Sequence, residues 1–275
     1  MELLQYNFFH NALIAILLIS VASAIIGTYI VTRRMVFIAG GITHASFGGL
    51  GIGYYMGISP TLSALVFALL SALGISSTSR YKQLREDSAI AIFWALGMAV
   101  GIIFIFLTPG YTPGLSEFLF GNILTITTTD IIIYAIFTAT LILFFTLLYK
   151  PILYTTFDSD FARIKGIKVD LINTAMILFI AIGVVLSIRL IGIMLLLSVL
   201  TLPQIIAEIF TANFKHMIIL SGILCLVCNI VGLILSTLIA VPTGACIVLT
   251  LVVAYVPAKL LQIMQQRHKD NSLKL

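Results

Sequence analysis

One histidine lies in the middle of a long apolar segment. His44 stands within MVFIAGGITHASFGGLGIGYY, residues 35–55, where every other residue except one Thr and one Ser is apolar, aromatic or Gly. A neutral imidazole can bind zinc or another late first-row metal, or it can donate one hydrogen bond to a neighbouring helix. One histidine per chain cannot form a tight metal site alone, so the role of His44 depends on the element that carries it.

The composition indicates that this element crosses a membrane. Hydrophobic residues make up 61% of the chain and charged residues 9%, and apolar runs of about 20 residues recur from end to end. This pattern predicts an all-α polytopic integral membrane protein, a helical bundle of nine spans, with eight or ten as alternatives. The first run is too long for a signal peptide and is expected to be retained. The expected spans are residues 8–31, 36–58, 60–77, 88–107, 130–149, 171–188, 190–209, 217–240 and 243–263. Residues 110–129, broken by Gly, Pro and Thr, are expected to form a short helix that dips into the protein without crossing.

The depth of His44 indicates a function. It lies ten residues beyond Arg34, which places it about 15 Å from the cytoplasmic edge and near the midplane. Ionisable residues at this depth are costly and usually face a pathway or a partner. We therefore expect His44 to lie on a substrate path, with a neutral packing histidine as the alternative.

Glycines occupy both sides of this histidine. Three share one broad helical face with the imidazole and are expected to line the space beside it: Gly40, Gly48 and Gly51. Three others recur at four-residue spacing and predict a close helix–helix contact: Gly49, Gly53 and Gly57.

The basic residues predict the orientation of the chain. Fourteen of the 15 Lys and Arg residues fall on one side of the predicted spans, and only Arg189 falls on the other. Because cytoplasmic loops collect basic residues, the N-terminus is expected outside and the C-terminus inside, with 264–275 as a cytoplasmic tail. The net charge of +5 is then explained by orientation and by attraction to anionic lipid, and no nucleic-acid partner is implied.

Several enzyme classes are excluded by missing motifs. The chain has no GxxxxGK[ST] phosphate loop and no HExxH metalloprotease motif, so any ATP-driven activity requires a separate nucleotide-binding subunit. Residues 1–275 are expected to form one membrane domain, because no polar stretch is long enough to bury its own core. Cys225 and Cys228 form a CxxC inside an apolar run and are expected to be buried hydrophobes, and Trp94 is expected to be a packing residue.

A series of motifs in fixed order resembles a known family. The motifs run from about residue 30 to 260: RRMVF with GGITHASFGG, REDSAIAIFWALGMAVGI, LSEFLFGNILTIT, DFARIKGIKVD, IRLIGIMLLLSVLTLPQIIA and VPTGACIVL. They resemble the membrane permease subunits of ATP-binding-cassette importers for zinc, manganese and iron. The resemblance implies a permease in the bacterial inner membrane, working as a homodimer or as one of two similar halves. It also implies a cytoplasmic ATP-binding subunit, an extracytoplasmic metal-binding protein, a divalent metal as cargo, and no stably bound cofactor.

The same resemblance implies a coupling segment that docks on the ATPase, within the cytoplasmic loop 150–170. The expected helix is 155–169, because Phe157, Phe161, Ile164 and Ile167 recur at four- and three-residue spacing and form one apolar stripe. Gly166 is expected to end this helix, and Asp158 or Asp160 suits its positive end. Arg163 adds to its mixed charge. A solvated loop lying flat on the lipid is the alternative.

The chain departs from the family pattern at two places. Gly40 occupies the position, four residues before the histidine, where these permeases usually carry Asp, which removes one potential oxygen ligand. In the seventh span the chain has LPQIIAE, where small residues such as Ala-Ala-Thr are common after LP in these permeases. Its Gln204 and Glu208 stand four residues apart, so they could hydrogen-bond to each other or contribute oxygen to the path, although an interfacial carboxylate is favoured for Glu208.

These departures leave other functions open. A metal chelate or another small solute is an alternative cargo. From a different class, the chain could be a stand-alone ion-coupled secondary transporter or a membrane assembly protein. The first usually shows paired mid-membrane ionisable residues and an internal repeat, neither of which is evident here.

Overall fold

The computed structural model describes residues 7–80, 85–110, 121 and 126–272. Within these ranges every regular element is a helix, so the predicted all-helical architecture is confirmed. The helices are α1 (Asn7–Thr32), α2 (Val36–Met56), α3 (Pro60–Arg80), α4 (Glu86–Leu107), α5 (Thr128–Leu147), α6 (Tyr149–Phe157), α7 (Ser159–Ile164), α8 (Val169–Val199), α9 (Leu202–Phe210), α10 (Phe214–Ile239) and α11 (Thr243–Ser272).

Eight stretches of the described chain are long and apolar enough to cross a membrane, compared with nine spans in the prediction. The difference lies in the predicted sixth and seventh spans, which form one continuous 42-residue stretch, Val169–Phe210. This stretch is kinked inside α8 at Gly192, where φ is 76° and ψ is 168°, values open to glycine because it has no Cβ.

Contacts show how this long stretch runs through the bundle. Near its start, Asn173 Oδ1 accepts a hydrogen bond from the Tyr29 hydroxyl, close to the end of α1. Near its end, Glu208 shares a cavity with Thr32, the last residue of α1. Between them, Arg189 reaches the start of α5. Both ends of Val169–Phe210 therefore lie at the same end of the bundle, and the chain reverses near Gly192.

The two ends of the bundle differ in charge. We call the end that holds the α1–α2 turn the basic end. There the Arg33 guanidinium donates to the Thr155 carbonyl at 2.7 Å, and the Phe157 and Phe214 rings meet edge to face. These contacts bring the loops at 33–34, 149–168 and 211–214 together at that end. Arg189 lies at the opposite end.

Buried and exposed helices are clearly separated within one chain. About 72% of the most apolar window is buried in α1, in α2 and in Val169–Phe210, compared with 17% in α4. Polar side chains join α1 to α10 in the interior, where Ser23 Oγ lies 3.4 Å from Cys225 Sγ. All three cysteines are free and buried, which confirms the prediction for Cys225 and Cys228.

The predicted amphipathic helix 155–169 is wrong in its extent. The segment forms two helices, α6 and α7, that are separated at Asp158, where the backbone is extended (φ −148°, ψ 95°). Asp158 Oδ1 caps α7 by accepting from the backbone N–H groups of Asp160 and Phe161. An Asx cap of this kind stabilises a new helix start and so competes with a continuous helix.

Two further expectations fall partly outside the described residues. Of the predicted dipping segment 110–129, residues 111–120 and 122–125 are not described. Gly121 is described, and a Cβ added to it would overlap the backbone of Ile191 and Gly192 at the kink. At the C-terminus α11 continues to Ser272, so residues 264–272 of the predicted tail extend the last helix, and residues 273–275 lie outside the described part of the chain.

Candidate functional site

The site is built around α2, which is wedged between α3 and α4. On one face, a Cβ at Gly49 would overlap the Ser63 backbone of α3, and a Cβ at Gly53 would lie 2.7 Å from Pro60 Cα. Both positions therefore support a close α2–α3 contact, which is the role predicted for them.

The opposite face of α2 meets α4 just as closely. A Cβ at Gly48 would lie 3.1 Å from Gly97 Cα, and one at Gly51 would overlap the backbone of Gly101. These two glycines were expected to line open space beside His44, but the space beside them is filled by the α4 backbone. Only glycine on both helices allows this approach.

Gly57 does not act as the third packing glycine that the spacing predicts. No atom lies within 4 Å of its Cβ position, and its φ is 65°. It ends α2 in the left-handed conformation, and its N–H bonds back to the carbonyls of Gly53 and Tyr54. The spacing was misleading because a helix C-cap selects glycine for its backbone freedom.

His44 is half-buried and stacks on Trp94 of α4. The ring centroids are 4.1 Å apart and the planes differ by 6°. The imidazole Nδ1 is buried and has no hydrogen-bond partner. Trp94, which the sequence assigned to packing, therefore holds the imidazole plane while leaving a ring nitrogen unused. Nothing local in the sequence links the two residues, because they belong to different spans.

Gly40 lies one helical turn before His44 and faces α8. The nearest atom to its Cβ position is Leu197 Cδ2 at 3.9 Å, an ordinary van der Waals distance. This position accordingly has room for a side chain, unlike Gly48 and Gly51. Among the residues that the structure describes, no group of three or more His, Cys, Asp and Glu side chains could hold a metal ion.

Gln204 and Glu208 do not form the pair that their spacing suggested. Gln204 is fully buried and turns toward α1, where its Nε2 donates to the Ser23 carbonyl at 2.8 Å. Glu208 is exposed and lines a cavity with Thr32 and Lys259 at the basic end. The close approach of α9 to Gly27 holds the Gln204 side chain against α1, and its buried Oε1 has no hydrogen-bond partner.

A second candidate surface lies at the tip of the basic end, on α7 and on Phe157, the last residue of α6. Phe157, Phe161 and Ile164 are 60%, 40% and 84% exposed, and the Arg163 guanidinium pairs with Asp160 at 3.6 Å. Gly166 ends the helix at φ 76°, and Ile167 N–H bonds back to the Ala162 carbonyl, so the predicted helix stop is confirmed. The surface presents apolar side chains on a short, well-capped helix.

A polar junction at the opposite end was barely indicated by sequence alone. Arg189 Nε donates to Asp130 Oδ1 at 2.6 Å, and Arg189 Nη1 donates to Thr61 Oγ1 at 2.9 Å. One guanidinium therefore ties α8 to the starts of α3 and α5. The isolation of Arg189 from the other basic residues was the sequence feature that pointed to this junction.

Comparison with known proteins finds a family model and several relatives that match most of this chain. A model described as the ABC 3 transport family matches residues 5–262. A Synechocystis protein described as an uncharacterized membrane protein is 38% identical over 92% of this chain and 90% of its own length. The manganese transport system membrane protein MntC of Halalkalibacterium halodurans is 31% identical over 90% of this chain and 85% of its own length.

Solved structures share the fold. PsaBC from Streptococcus pneumoniae, solved with a Fab, superposes with a TM-score of 0.83 at 28% identity and covers 93% of this chain and 92% of the matched chain. A putative metal-chelate type ABC transporter in an inward-facing conformation gives a TM-score of 0.70 at 16% identity, over 94% of this chain and 86% of that one. The second likeness concerns the fold alone.

Proposed function

Since the chain belongs to the ABC 3 transport family and is a multi-pass protein of the bacterial inner membrane, we propose that it is the permease subunit of an ATP-driven importer of divalent metal ions. Manganese is the favoured cargo, because relatives about 30% identical over nine-tenths of this chain are named manganese transport proteins. Zinc and iron are the competitors. ATP hydrolysis is assigned to a separate cytoplasmic subunit and metal delivery to an extracytoplasmic binding protein.

The observation that carries this proposal at the residue level is the His44–Trp94 stack. An imidazole in the middle of a buried span, with Nδ1 lacking a hydrogen-bond partner, is costly unless it serves a pathway. The path is assigned to the side of α2 where Gly40 has room and where Trp94 is 38% exposed. A second copy of the chain, facing this side, would add its own His44.

The decisive experiment is ATP-dependent uptake into proteoliposomes that hold the permease, its ATPase and its binding protein. His44→Ala is compared with wild type for manganese, zinc and iron, with His216→Ala, an exposed histidine at the basic end, as the matched control. We expect His44→Ala to lower uptake of one metal about tenfold or more, the effect of losing a metal ligand or its support. Trp94→Phe should retain most of the uptake, and Trp94→Ala should not.

A metal chelate is the second candidate cargo. It is favoured by Gly40, which stands where a carboxylate ligand is usual in such permeases, and by the lack of a three-ligand cluster among the described residues. A chelate carries its own ligands, so His44→Ala would leave its uptake nearly unchanged. Uptake of the free metal ions that is equal in wild type and His44→Ala would therefore favour the chelate.

Coupling to the ATPase is assigned to α7. The exposed Phe161 and Ile164 suit an apolar groove on a partner, with Phe157, Asp158, Arg163 and Gly166 shaping the segment. Changing both Phe161 and Ile164 to Asp should abolish coelution of the ATPase with the detergent-solubilised permease, whereas Lys168→Asp in the same loop should not. ATPase retention by the double variant would contradict this assignment.

The orientation is proposed from the charges, with the N-terminus outside and the basic end in the cytoplasm. With a reversal near Gly192, Val169–Phe210 would cross the membrane twice, so this proposal counts nine crossings where the described residues contain eight candidate stretches. Because the native cysteines are buried, single new cysteines can report the side. A membrane-impermeant maleimide should label Ile58→Cys only from outside and Asp158→Cys only from inside, and the reverse pattern would overturn the orientation.

A further inference from the structure

A cavity of about 500 Å³ opens at the basic end, away from His44. It is bounded by the last residue of α1 and by α9, α10 and α11, whereas His44 lies between α2 and α4. Its floor is apolar and includes Ile205, Ile209 and Met217. The volume is within the range of small-molecule sites, roughly 300–1,000 Å³.

Two opposite charges face this cavity without neutralising each other. Glu208 and Lys259 both line it, yet no ion pair or hydrogen bond joins the Glu208 carboxylate to any described residue. Lys259 Nζ donates to Gln262 Oε1 at 2.7 Å and keeps two further N–H donors. One anion and one cation are therefore available to a ligand at the rim of an apolar floor.

The position of the cavity is that of a lipid headgroup. Thr32 ends one candidate span, and Tyr255, Lys259 and Gln262 lie in the last turns of another, Thr243–Gln266. Tyr and Lys are typical of this interfacial level, where they hold a polar tip above an apolar body. Val256, next to Tyr255 in the chain, is 50% exposed, so an apolar side chain is available to acyl chains near this level.

We propose that this cavity binds one inner-leaflet phospholipid with an ethanolamine headgroup. Lys259 pairs with the phosphate, and Glu208 accepts hydrogen bonds from the primary ammonium. A choline headgroup carries no N–H to donate, and a glycerol headgroup brings no positive charge to Glu208. The combination of both side chains therefore selects ethanolamine over either competitor.

The bound lipid would also touch the coupling segment. Phe157 lines this cavity and a second cavity of about 370 Å³ beside α7. Its ring packs edge to face on Phe214 with centroids 5.9 Å apart. Phe157 thus forms the wall between the lipid site and the surface assigned to ATPase docking.

Native mass spectrometry of the full chain in detergent tests the proposal with phosphatidylethanolamine, phosphatidylcholine and phosphatidylglycerol of identical acyl chains. Wild type should bind the ethanolamine lipid most tightly. Glu208→Gln should weaken binding of the ethanolamine lipid about tenfold, the effect of losing one charge-assisted hydrogen bond. Binding of the glycerol lipid should stay unchanged or become tighter. Lys259→Met should weaken both. Asp170→Asn and Lys215→Met make the same charge changes at exposed positions outside the cavity and should change neither.

Three results would overturn the proposal. The first is equal binding of the three lipids by wild type, and the second is wild-type lipid binding by both cavity variants. The third is a Glu208→Gln protein that keeps its ethanolamine preference but loses metal uptake, which would assign Glu208 to the transport path. Glu208→Asp, which keeps the carboxylate, should retain the preference and so separates loss of charge from loss of fold.

Discussion

Two glycines on the same face of α2 should respond to alanine in opposite ways. At Gly51 the added Cβ would overlap the Gly101 backbone and lie 2.8 Å from its Cα, whereas real Cβ contacts are essentially never shorter than 3.0 Å and ordinary ones begin at 3.4 Å, so α4 must move by roughly 0.6 Å to restore an ordinary contact. At Gly40 the nearest atom is the flexible end of Leu197 at 3.9 Å, and nothing needs to move. The two variants have the same chemistry and differ in the space available.

The free energies follow from these distances. Alanine in place of glycine gains about 1 kcal/mol in a helix, and overpacking costs about 1–3 kcal/mol, at the upper end when the obstacle is backbone. We expect Gly51→Ala to lose about 2 kcal/mol and Gly40→Ala to gain up to about 1 kcal/mol. A difference of about 3 kcal/mol corresponds to a separation of roughly 6–12 °C in Tm.

The assay is thermal unfolding of the detergent-solubilised chain, followed by the loss of monodisperse protein on size-exclusion chromatography after heating. Gly51→Ala should melt below wild type and Gly40→Ala at or above it. Equal Tm values for the two variants would refute the close contact of α2 with α4, and would return Gly51 to the role of lining an open path.

Three further predictions concern the path and the opposite end. Gly40→Asp should tighten manganese binding, measured by isothermal titration calorimetry, because a carboxylate one turn from His44 supplies a second ligand; a gain that persists without His44 would contradict this geometry. Arg189→Met should lower stability to heat by about 1–2 kcal/mol, because it leaves the mostly buried Asp130 carboxylate without its cation, and an unchanged Tm would show that the junction contributes nothing. Gly192→Ala should cost about 1–3 kcal/mol through strain at φ 76° and should reduce uptake, whereas wild-type values for both would mean that the kink relaxes.

The positions of the helices were predictable because residues close together in the sequence define where each helix begins and ends. The expected second span, 36–58, matches Val36–Met56, and the expected fifth, 130–149, matches Thr128–Leu147. Apolar length and flanking Gly, Pro or Arg define both. A boundary between two spans was predicted at Arg189, three residues before Gly192. That the chain passes this point as one helical stretch with a glycine kink was not predictable, because the backbone conformation of Gly192 leaves no sequence pattern.

The site was predictable only in part, because partners across helices leave no local pattern. His44 could be found as an ionisable residue out of place, but Trp94 stacks on it from 50 positions further along the chain. Glycine likewise indicates a close approach without naming the neighbour, so Gly48 and Gly51 could not be distinguished from Gly40. Asp158 or Asp160 was expected to suit the positive end of a helix that begins at residue 155, whereas Asp158 caps a separate helix and divides the segment that periodicity joined.

A sparsely ligated path suits transport better than a complete metal site would. Ions move through a pathway when binding is favourable enough for entry and weak enough for release, and a cluster of three or four strong ligands would hold the metal. In the path proposed above, the His44 imidazole would meet this requirement as a single ligand, because Trp94 fixes its plane while Nδ1 has no hydrogen-bond partner to displace. If Gly40 removes a second ligand from this path, selection among metals would rest on His44 together with the proposed binding protein that delivers the metal.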